Sequence, residues 1–227
     1  MAPTKKLYAA LTGDVIKSSR LDPGARRKLS ETLLASGEEL RKSFPGLVVD
    51  GINLFRGDSV QFLIDDPSKA LRAALFFRAA LKASGTGPRT DMRLAIGVGT
   101  IDFMPESARG GADGEAYRLS GPALDSMGTK QTLCLALPRT LAPLPHPGTA
   151  LKATVVLTGV LAQRWTAKQA LAVKGALCGQ TQEEICQSWP TPVTRQAVAK
   201  HLDAAGWFGV EQALAVFEDF GFTVSEE

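Results

Sequence analysis

The sequence is poor in the residues from which disulfide frameworks and zinc sites are built. Its 227 residues include three cysteines and two histidines. The cysteines are scattered singly among apolar neighbours and form no C-x-x-C pair. A structural zinc site needs four nitrogen or sulfur ligands, and a disulfide framework needs paired cysteines. The composition therefore argues against both, and the chain is expected to fold on its hydrophobic core alone.

Long hydrophobic runs are also absent. Met1 is followed by Ala-Pro-Thr-Lys-Lys, which lacks the apolar stretch of a signal peptide. No later run approaches the roughly 18 consecutive apolar residues of a membrane-spanning helix. The hydrophobic fraction of 44% is typical of a globular protein. We therefore expect a cytoplasmic location and no membrane partner.

The net charge is small and unevenly distributed. The whole chain carries +3, but from Leu151 onward six basic residues stand against eight acidic ones, a net charge of −2. The preceding part therefore carries +5. Sequence-independent DNA binding depends on phosphate neutralisation by lysine and arginine. The acidic balance of the C-terminal part is thus a point against DNA binding there.

The first part of the chain alternates strand-like and helix-like patterns. Short apolar runs predict strands at 6–12, 47–55, 59–64 and 91–99. Apolar positions at helical spacing predict helices at 22–43 and 68–83. The order β-α-β-β-α-β is the ferredoxin-like pattern, an antiparallel sheet with both helices on one face. A helix at 115–127 and a strand at 131–137 complete this part.

The second part begins after a proline-rich segment. Residues 138–150 contain four prolines and predict a stiff linker. From Leu151 the pattern is entirely helical. We therefore expect an α+β protein with an α/β domain at 1–137 and a small all-α domain at 151–227.

Two aspartates stand where this topology brings strand ends together. Asp14 follows the first strand, and Asp58 lies in the hairpin turn that contains Gly57. Two neighbouring carboxylates are neutralised by cations, and hard oxygen ligands suit Mg²⁺ or Mn²⁺ bound to nucleotide phosphates. Taken singly, each aspartate is explained as a turn residue, because aspartate is common in turns beside glycine.

Three short motifs resemble those of class III nucleotidyl cyclases, in the same order. They are Gly13-Asp14-Val15-Ile16, Arg56-Gly57-Asp58-Ser59 and Arg-Leu-Ala-Ile-Gly-Val-Gly at 93–99. With the Ala112-Asp113-Gly114 loop and the C-terminal helices, essentially the whole chain resembles the SatD-like family of bacterial proteins. The resemblance implies a palm-like domain, a helix-turn-helix domain and a homodimer.

The resemblance also implies a site for a nucleoside triphosphate. Asp14 and Asp58 would bind Mg²⁺ or Mn²⁺, with the Val15 carbonyl as a further ligand. The residues implied to contact the nucleotide are Ile16, Lys17, Ser18, Ser19, Arg20, Gly57 and Arg93. Lys17 and Arg20 are equally well explained as solvated loop residues. An arginine at the position of Arg93 is more often a solvent-facing strand residue than a ligand.

The chain departs from the cyclases where catalysis is completed. Leu54 stands three residues before the hairpin glycine, where cyclases carry a base-recognising lysine. The segment 115–127 offers only Arg118, out of register, in place of the asparagine and arginine that stabilise the transition state. We therefore favour a metal-dependent, nucleotide-binding regulator. An active nucleotidyltransferase using two metal ions, and a DNA-binding or dimerisation protein without a ligand, remain as alternatives.

Two predicted helices near the C-terminus carry start signals. Thr181-Gln182-Glu183-Glu184 has the capping-box pattern, and Thr194 precedes a helix at 195–202. The pair resembles the helix-turn-helix of bacterial regulators, whose second helix enters the major groove. The residues expected to contact DNA are Thr194, Arg195, Gln196 and Lys200. The alternative is a unit that binds protein or forms a dimer.

Overall fold

The computed structural model describes residues 5–49, 51–85, 90–104, 112–138, 141 and 147–222. The strands are β1 (Tyr8–Val15), β2 (Asn53–Phe55), β3 (Ser59–Ile64), β4 (Met92–Gly99) and β5 (Leu133–Ala136). The helices are α1 (Pro23–Ser43), α2 (Ala70–Ala83), α3 (Glu115–Asp125), α4 (Pro147–Gln163), α5 (Ala167–Leu177), α6 (Gln182–Gln187), α7 (Arg195–Ala204) and α8 (Trp207–Glu218). Short 3₁₀ helices, Ser18–Arg20 and Pro67–Lys69, precede α1 and α2. None of the described helices is long and apolar enough to cross a bilayer.

The five strands form one sheet in the order β2-β3-β1-β4-β5. β1 is antiparallel to both β3 and β4, and β5 adds a parallel strand beside β4. The α+β class is confirmed. The first four strands have the order and direction expected from the β-α-β-β-α-β pattern.

β1 extends further along the chain than the predicted strand 6–12. Its pairing with β4 continues through Asp14 opposite Arg93 to Val15 opposite Met92. Asp14 therefore lies within a central strand, not in the turn that follows it. A residue in a strand has a fixed cross-strand partner, which the sequence pattern did not identify.

The two faces of the sheet are covered by different helices. Leu11 belongs to the main hydrophobic cluster, which also contains side chains of α1 and α2. Ala10, the next residue back along β1, packs instead with Ala116 of α3. This alternation is that of a strand buried on both sides.

The C-terminal helices share the main hydrophobic cluster with α2 and the sheet. The cluster includes Phe77 of α2, Val173 of α5 and Phe217 of α8. Glu218 also accepts hydrogen bonds from Lys69 at 2.6 Å and Arg72 at 2.7 Å. Most of the predicted linker, 138–150, lies outside the described residues, and α4 already begins at Pro147. The division into domains at 137 and 151 stays a prediction.

A buried ionic cluster joins α2, β4 and α4. Arg78, which has no solvent-exposed surface, donates to both carboxylate oxygens of Asp91 and to the carbonyl of Gly159. Lys82 lies 3.0 Å from the same carboxylate. Burial lowers the pKa of Lys82, and the neighbouring Asp91 only partly opposes this effect. The carbonyl of Asp91 accepts the N–H of Ile16, so the cluster also fixes the chain just after β1.

The predicted starts of α6 and α7 are both present. Thr181 and Glu184 form the reciprocal capping box, and the Thr194 hydroxyl accepts the N–H of Ala197. Between these helices, the Trp189 ring stacks on His201 with centroids 5.7 Å apart. Each helix therefore begins where the side-chain chemistry of its N-cap predicts.

Candidate functional site

The end of β1 and the tip of the β2–β3 hairpin meet at one corner of the sheet. The N–H of Val15 donates to the carbonyl of Asp58 at 3.0 Å. The Ser18 hydroxyl donates to the Asp58 carboxylate at 2.5 Å. Three of the predicted site residues thus lie within direct hydrogen-bonding contact. We refer below to residues 14–20 and 55–58 as the corner.

Asp14 is held by Arg93, its cross-strand neighbour on β4. The Arg93 guanidinium donates to both carboxylate oxygens, in one case at 2.9 Å, and its remaining terminal nitrogen donates to the carbonyl of Met127 at 3.1 Å. Each of the two paired side chains is 29% exposed. The hydrogen bonds to Asp14 raise the pKa of Arg93. Arg93 is therefore a partner of Asp14 and not a free solvent-facing residue.

The Arg93–Asp14 pair affects whether a divalent ion can bind at the corner. Divalent cations need several oxygen ligands that are free to coordinate them. Both oxygens of Asp14 are bound by Arg93, and the Asp58 carboxylate accepts from Ser18. Among the described residues, no group of three or more His, Cys, Asp or Glu side chains could hold a metal ion. The residues do not fit Mg²⁺ or Mn²⁺ at Asp14 while the pair with Arg93 is formed.

Some of the predicted nucleotide-binding residues in the turn after β1 are engaged in hydrogen bonds, and others are exposed. The N–H of Ile16 donates to Asp91 at 2.9 Å, and the Ser18 hydroxyl is bound to Asp58. Lys17, Ser19 and Arg20 are exposed. Lys17 has φ 62°, a left-handed conformation that non-glycine residues rarely adopt, and it starts the 3₁₀ turn. The exposed residues of this turn are therefore the ones available to a ligand.

The hairpin tip contains two consecutive left-handed residues and rests on α1. Arg56 has φ 53° and Gly57 has φ 83°. The Ser30 hydroxyl donates to the Gly57 carbonyl at 2.8 Å. A β-carbon at Gly57 would lie 4.0 Å from Cγ of Arg26. These contacts bring the first turns of α1 beside the corner.

Four cations lie in or beside the corner. Lys17, Arg20, Arg26 and Arg56 are exposed, and none forms an ion pair with any other residue that the structure describes. Unpaired cations gathered on one surface create a positive potential that attracts anions. Arg26 and Arg56 were not predicted as site residues. The sequence carries no local signal for them, because the approach of α1 to the hairpin is a contact between residues that are distant in the sequence.

The glycines of the third motif have a packing role. A β-carbon at Gly97 would lie 2.3 Å from the carbonyl oxygen of Ala116, and one at Gly99 would lie 2.8 Å from its nitrogen. These glycines therefore let α3 lie directly on the backbone of β4. Arg118, on the same helix, pairs with Asp102 at 2.6 Å, away from the corner.

The predicted DNA-binding residues share an exposed surface on α7. Thr194, Arg195 and Gln196 line a groove with Gln182 at the start of α6. Lys200 is exposed one turn further along α7. The Thr194 hydroxyl is engaged in capping, whereas the Arg195, Gln196 and Lys200 side chains are exposed to solvent.

The comparisons with known proteins do not show a family for this chain. No protein-family model matches the chain, and no curated protein matches it either. Among solved structures, the chain is similar to the guanylyl cyclase Cya2, with a TM-score of 0.41 and 16% sequence identity. That match covers 60% of this chain and 77% of the other. Membership of the SatD-like family stays a prediction.

Proposed function

We propose that this chain is a nucleotide-binding regulatory protein whose corner binds the phosphates of a nucleoside triphosphate. The observation that carries the proposal is the set of four cations, Lys17, Arg20, Arg26 and Arg56, that lie in or beside the corner and form no ion pair with the described residues. The hairpin tip of this corner is fixed to β1 and α1. A polyphosphate carries several negative charges, and a cluster of lysine and arginine side chains is the protein surface that recognises it.

The acidic residues of the corner do not oppose this proposal. Arg93 neutralises Asp14, and Ser18 engages the carboxylate of Asp58. The local balance is therefore positive. Mg²⁺ or Mn²⁺, expected from the resemblance, would require Arg93 to leave Asp14, so the proposed binding relies on cations of the chain itself.

A regulatory role is supported by the connection between the corner and the C-terminal helices. Ile16 donates to the carbonyl of Asp91, whose carboxylate binds Arg78, and Arg78 also binds the carbonyl of Gly159 in α4. A ligand that shifts the turn after β1 would therefore also shift Asp91, which is linked to α4 through Arg78. Such contiguous hydrogen bonds give a physical route for coupling, which double-mutant measurements can test.

Catalysis is not part of the proposal. Leu54 and the Arg118–Asp102 pair leave the corner without the base-recognising and charge-stabilising groups of a cyclase. Transition-state stabilisation of that kind accounts for about 3–4 kcal/mol per group in enzymes that have it. Binding without turnover is therefore the simpler function for this corner.

Isothermal titration calorimetry with ATP and GTP tests the proposal. We expect saturable binding by the wild type without divalent ions, and at least about tenfold weaker binding by Lys17→Gln and Arg56→Gln. Arg41→Gln removes an exposed arginine of α1 that pairs with Glu38, and it should bind as the wild type does. No binding by the wild type at millimolar nucleotide would exclude this function and favour the protein without a ligand.

We propose DNA binding by α7 as a second candidate function, favoured by the groove that Arg195 and Gln196 line. Arginine and glutamine in a major groove recognise guanine and adenine edges, and Lys200 would contact a phosphate. Fluorescence anisotropy with random-sequence duplexes at several salt concentrations tests it. Lys200→Ala should reduce the salt dependence by about one phosphate contact. Lys168→Ala, an exposed lysine of α5, should leave it unchanged.

A further inference from the structure

The surface formed by α4 and α8 leaves large apolar side chains in solvent. Phe208 is 76% exposed, Leu157 64% and Val216 58%. Val160 and Leu161 on α4 are also exposed. Single apolar residues on a surface are ordinary, but several on two neighbouring helices indicate an interaction site. We call these five residues, Leu157, Val160, Leu161, Phe208 and Val216, the α4–α8 face.

The two helices are neighbours and run in opposite directions. The side chain of Leu161 lies 3.6–3.8 Å from the positions that β-carbons would take at Gly206 and Gly209, where α8 begins. Beyond Leu161, α4 continues to Gln163, which binds Lys82 at the end of α2. The far end of α8, in contrast, binds the beginning of α2 through Glu218. The face is therefore a pair of antiparallel helices.

Opposite charges lie at the two ends of this face. Arg164 follows the last residue of α4, three residues beyond Leu161, near the start of α8. Asp219 lies eleven residues beyond Phe208, about 16 Å along the axis of α8 and just past its end. Both side chains are exposed, and neither pairs with a charge in the described part of the chain.

We propose that the α4–α8 face binds a second copy of this chain about a twofold axis. A twofold axis superimposes a patch on its own copy with the ends exchanged, so Arg164 of each copy meets the acidic end of the other. The apolar centre then contacts itself and Phe208 is buried. One surface supplies both the hydrophobic core and the complementary charges that a stable homodimer needs.

The proposed dimer also determines how two α7 helices are placed. α8 follows α7 after only Ala205 and Gly206, and the Ala205 carbonyl accepts the indole N–H of Trp165 at 2.9 Å. Because α7 is attached to α8 in this way, the twofold axis of the dimer sets the distance between the two α7 helices. Dimeric helix-turn-helix proteins read paired half-sites in this manner.

Sedimentation equilibrium of the full chain tests the proposal. The wild type should be a dimer at micromolar concentration, and Phe208→Glu should raise the dimer dissociation constant at least about tenfold. Leu34→Glu changes an exposed leucine of α1 and is the matched control, expected to stay dimeric. Circular dichroism confirms that both variants are folded. A monomeric wild type, or equal effects of the two substitutions, would overturn the proposal.

Charge reversal tests the end-to-end arrangement. Arg164→Glu alone, and Asp219→Arg alone, should each weaken the dimer about tenfold at low salt. The two substitutions together exchange the charges of the two ends, so dimerisation should return toward the wild-type constant. If the double variant is as weak as either single variant, or weaker, Arg164 does not meet Asp219 and the proposed arrangement is wrong.

Discussion

Arg78 donates hydrogen bonds of 2.7 and 2.8 Å to the two carboxylate oxygens of Asp91, with its whole side chain excluded from solvent. The remaining terminal nitrogen of Arg78 reaches the carbonyl of Gly159 on α4. The Asp91 carbonyl holds Ile16 at the end of β1. One ion pair therefore connects the sheet, the proposed binding corner and the C-terminal helices.

Replacing Arg78 by methionine should destabilise the protein severely. The substitution leaves Asp91 buried with Lys82 as its remaining cation, and breaking a buried pair from one side costs about 3–5 kcal/mol. Urea unfolding followed by circular dichroism measures this change. Arg41→Met, at an exposed pair on α1, should change the unfolding free energy by less than about 1 kcal/mol. Equal losses in the two variants would contradict the role of Arg78.

Acid should weaken the attachment of α8. Burial tends to raise the pKa of Glu218, but hydrogen bonds from Arg72 and Lys69 outweigh it, so the pKa is lowered. A carboxylate with a lowered pKa in the folded state stabilises the protein above its unfolded pKa, about 4.3. This stabilisation is lost as the pH falls through the folded pKa.

Glu218→Gln should therefore reduce stability at neutral pH by about 1–3 kcal/mol, and the difference from the wild type should shrink in acid. Thermal or urea unfolding between pH 7 and roughly pH 3 measures it. Glu183→Gln, at an exposed position on α6, is the control. A Glu218 effect that persists unchanged in acid would show that the ion pairs are not its source.

Removing Arg93 should let a divalent ion reach Asp14. The guanidinium binds both oxygens of Asp14. Without it, the negative charges of Asp14 and Asp58 are no longer balanced by Arg93 and can attract a divalent cation. Arg93→Gln should bind Mn²⁺ at least about tenfold more tightly than the wild type does, as measured by electron paramagnetic resonance. Adding Asp14→Asn should abolish the gain. Wild-type protein that binds Mn²⁺ as tightly as Arg93→Gln would show that Arg93 does not compete with the metal.

Alanine at Gly97 should disturb the packing of α3 on β4. The added β-carbon would lie 2.3 Å from the Ala116 carbonyl oxygen, closer than van der Waals contact allows. Overpacking of this kind costs about 1–3 kcal/mol, and a thermal melt would show a lower transition temperature. Gly128→Ala has no atom within 4 Å of the new β-carbon and should be close to neutral. A neutral Gly97→Ala would mean that α3 does not lie against this strand.

Local features of the fold were predictable because their causes lie close together in the sequence. The N-cap aspartate before α1 and the threonine caps of α6 and α7 form the hydrogen bonds that their residue types predict. The hairpin and the order of the first four strands followed from apolar periodicity and Gly57. These signals extend over only a few residues.

Pairings between distant residues were not predictable in the same way. Arg78 stands within the strongly apolar pattern of α2, and its partner Asp91 comes from another element. Arg93 was interpreted as a solvent-facing or ligand residue, because nothing local shows that it lies opposite Asp14. Register across the sheet is a tertiary property, set by packing on both faces. For the same reason, the sequence did not indicate that Arg26 approaches the hairpin.

Nucleotide phosphates are proposed to bind at the corner formed by residues 14–20 and 55–58. A titration of isotope-labelled protein with ATP, and then GTP, without divalent ions, followed by amide chemical shifts, tests this binding most directly. We expect saturable shifts concentrated at Lys17, Arg20 and Arg56, with smaller shifts near Arg78. Absence of shifts at millimolar nucleotide, or shifts confined to α7, would contradict it.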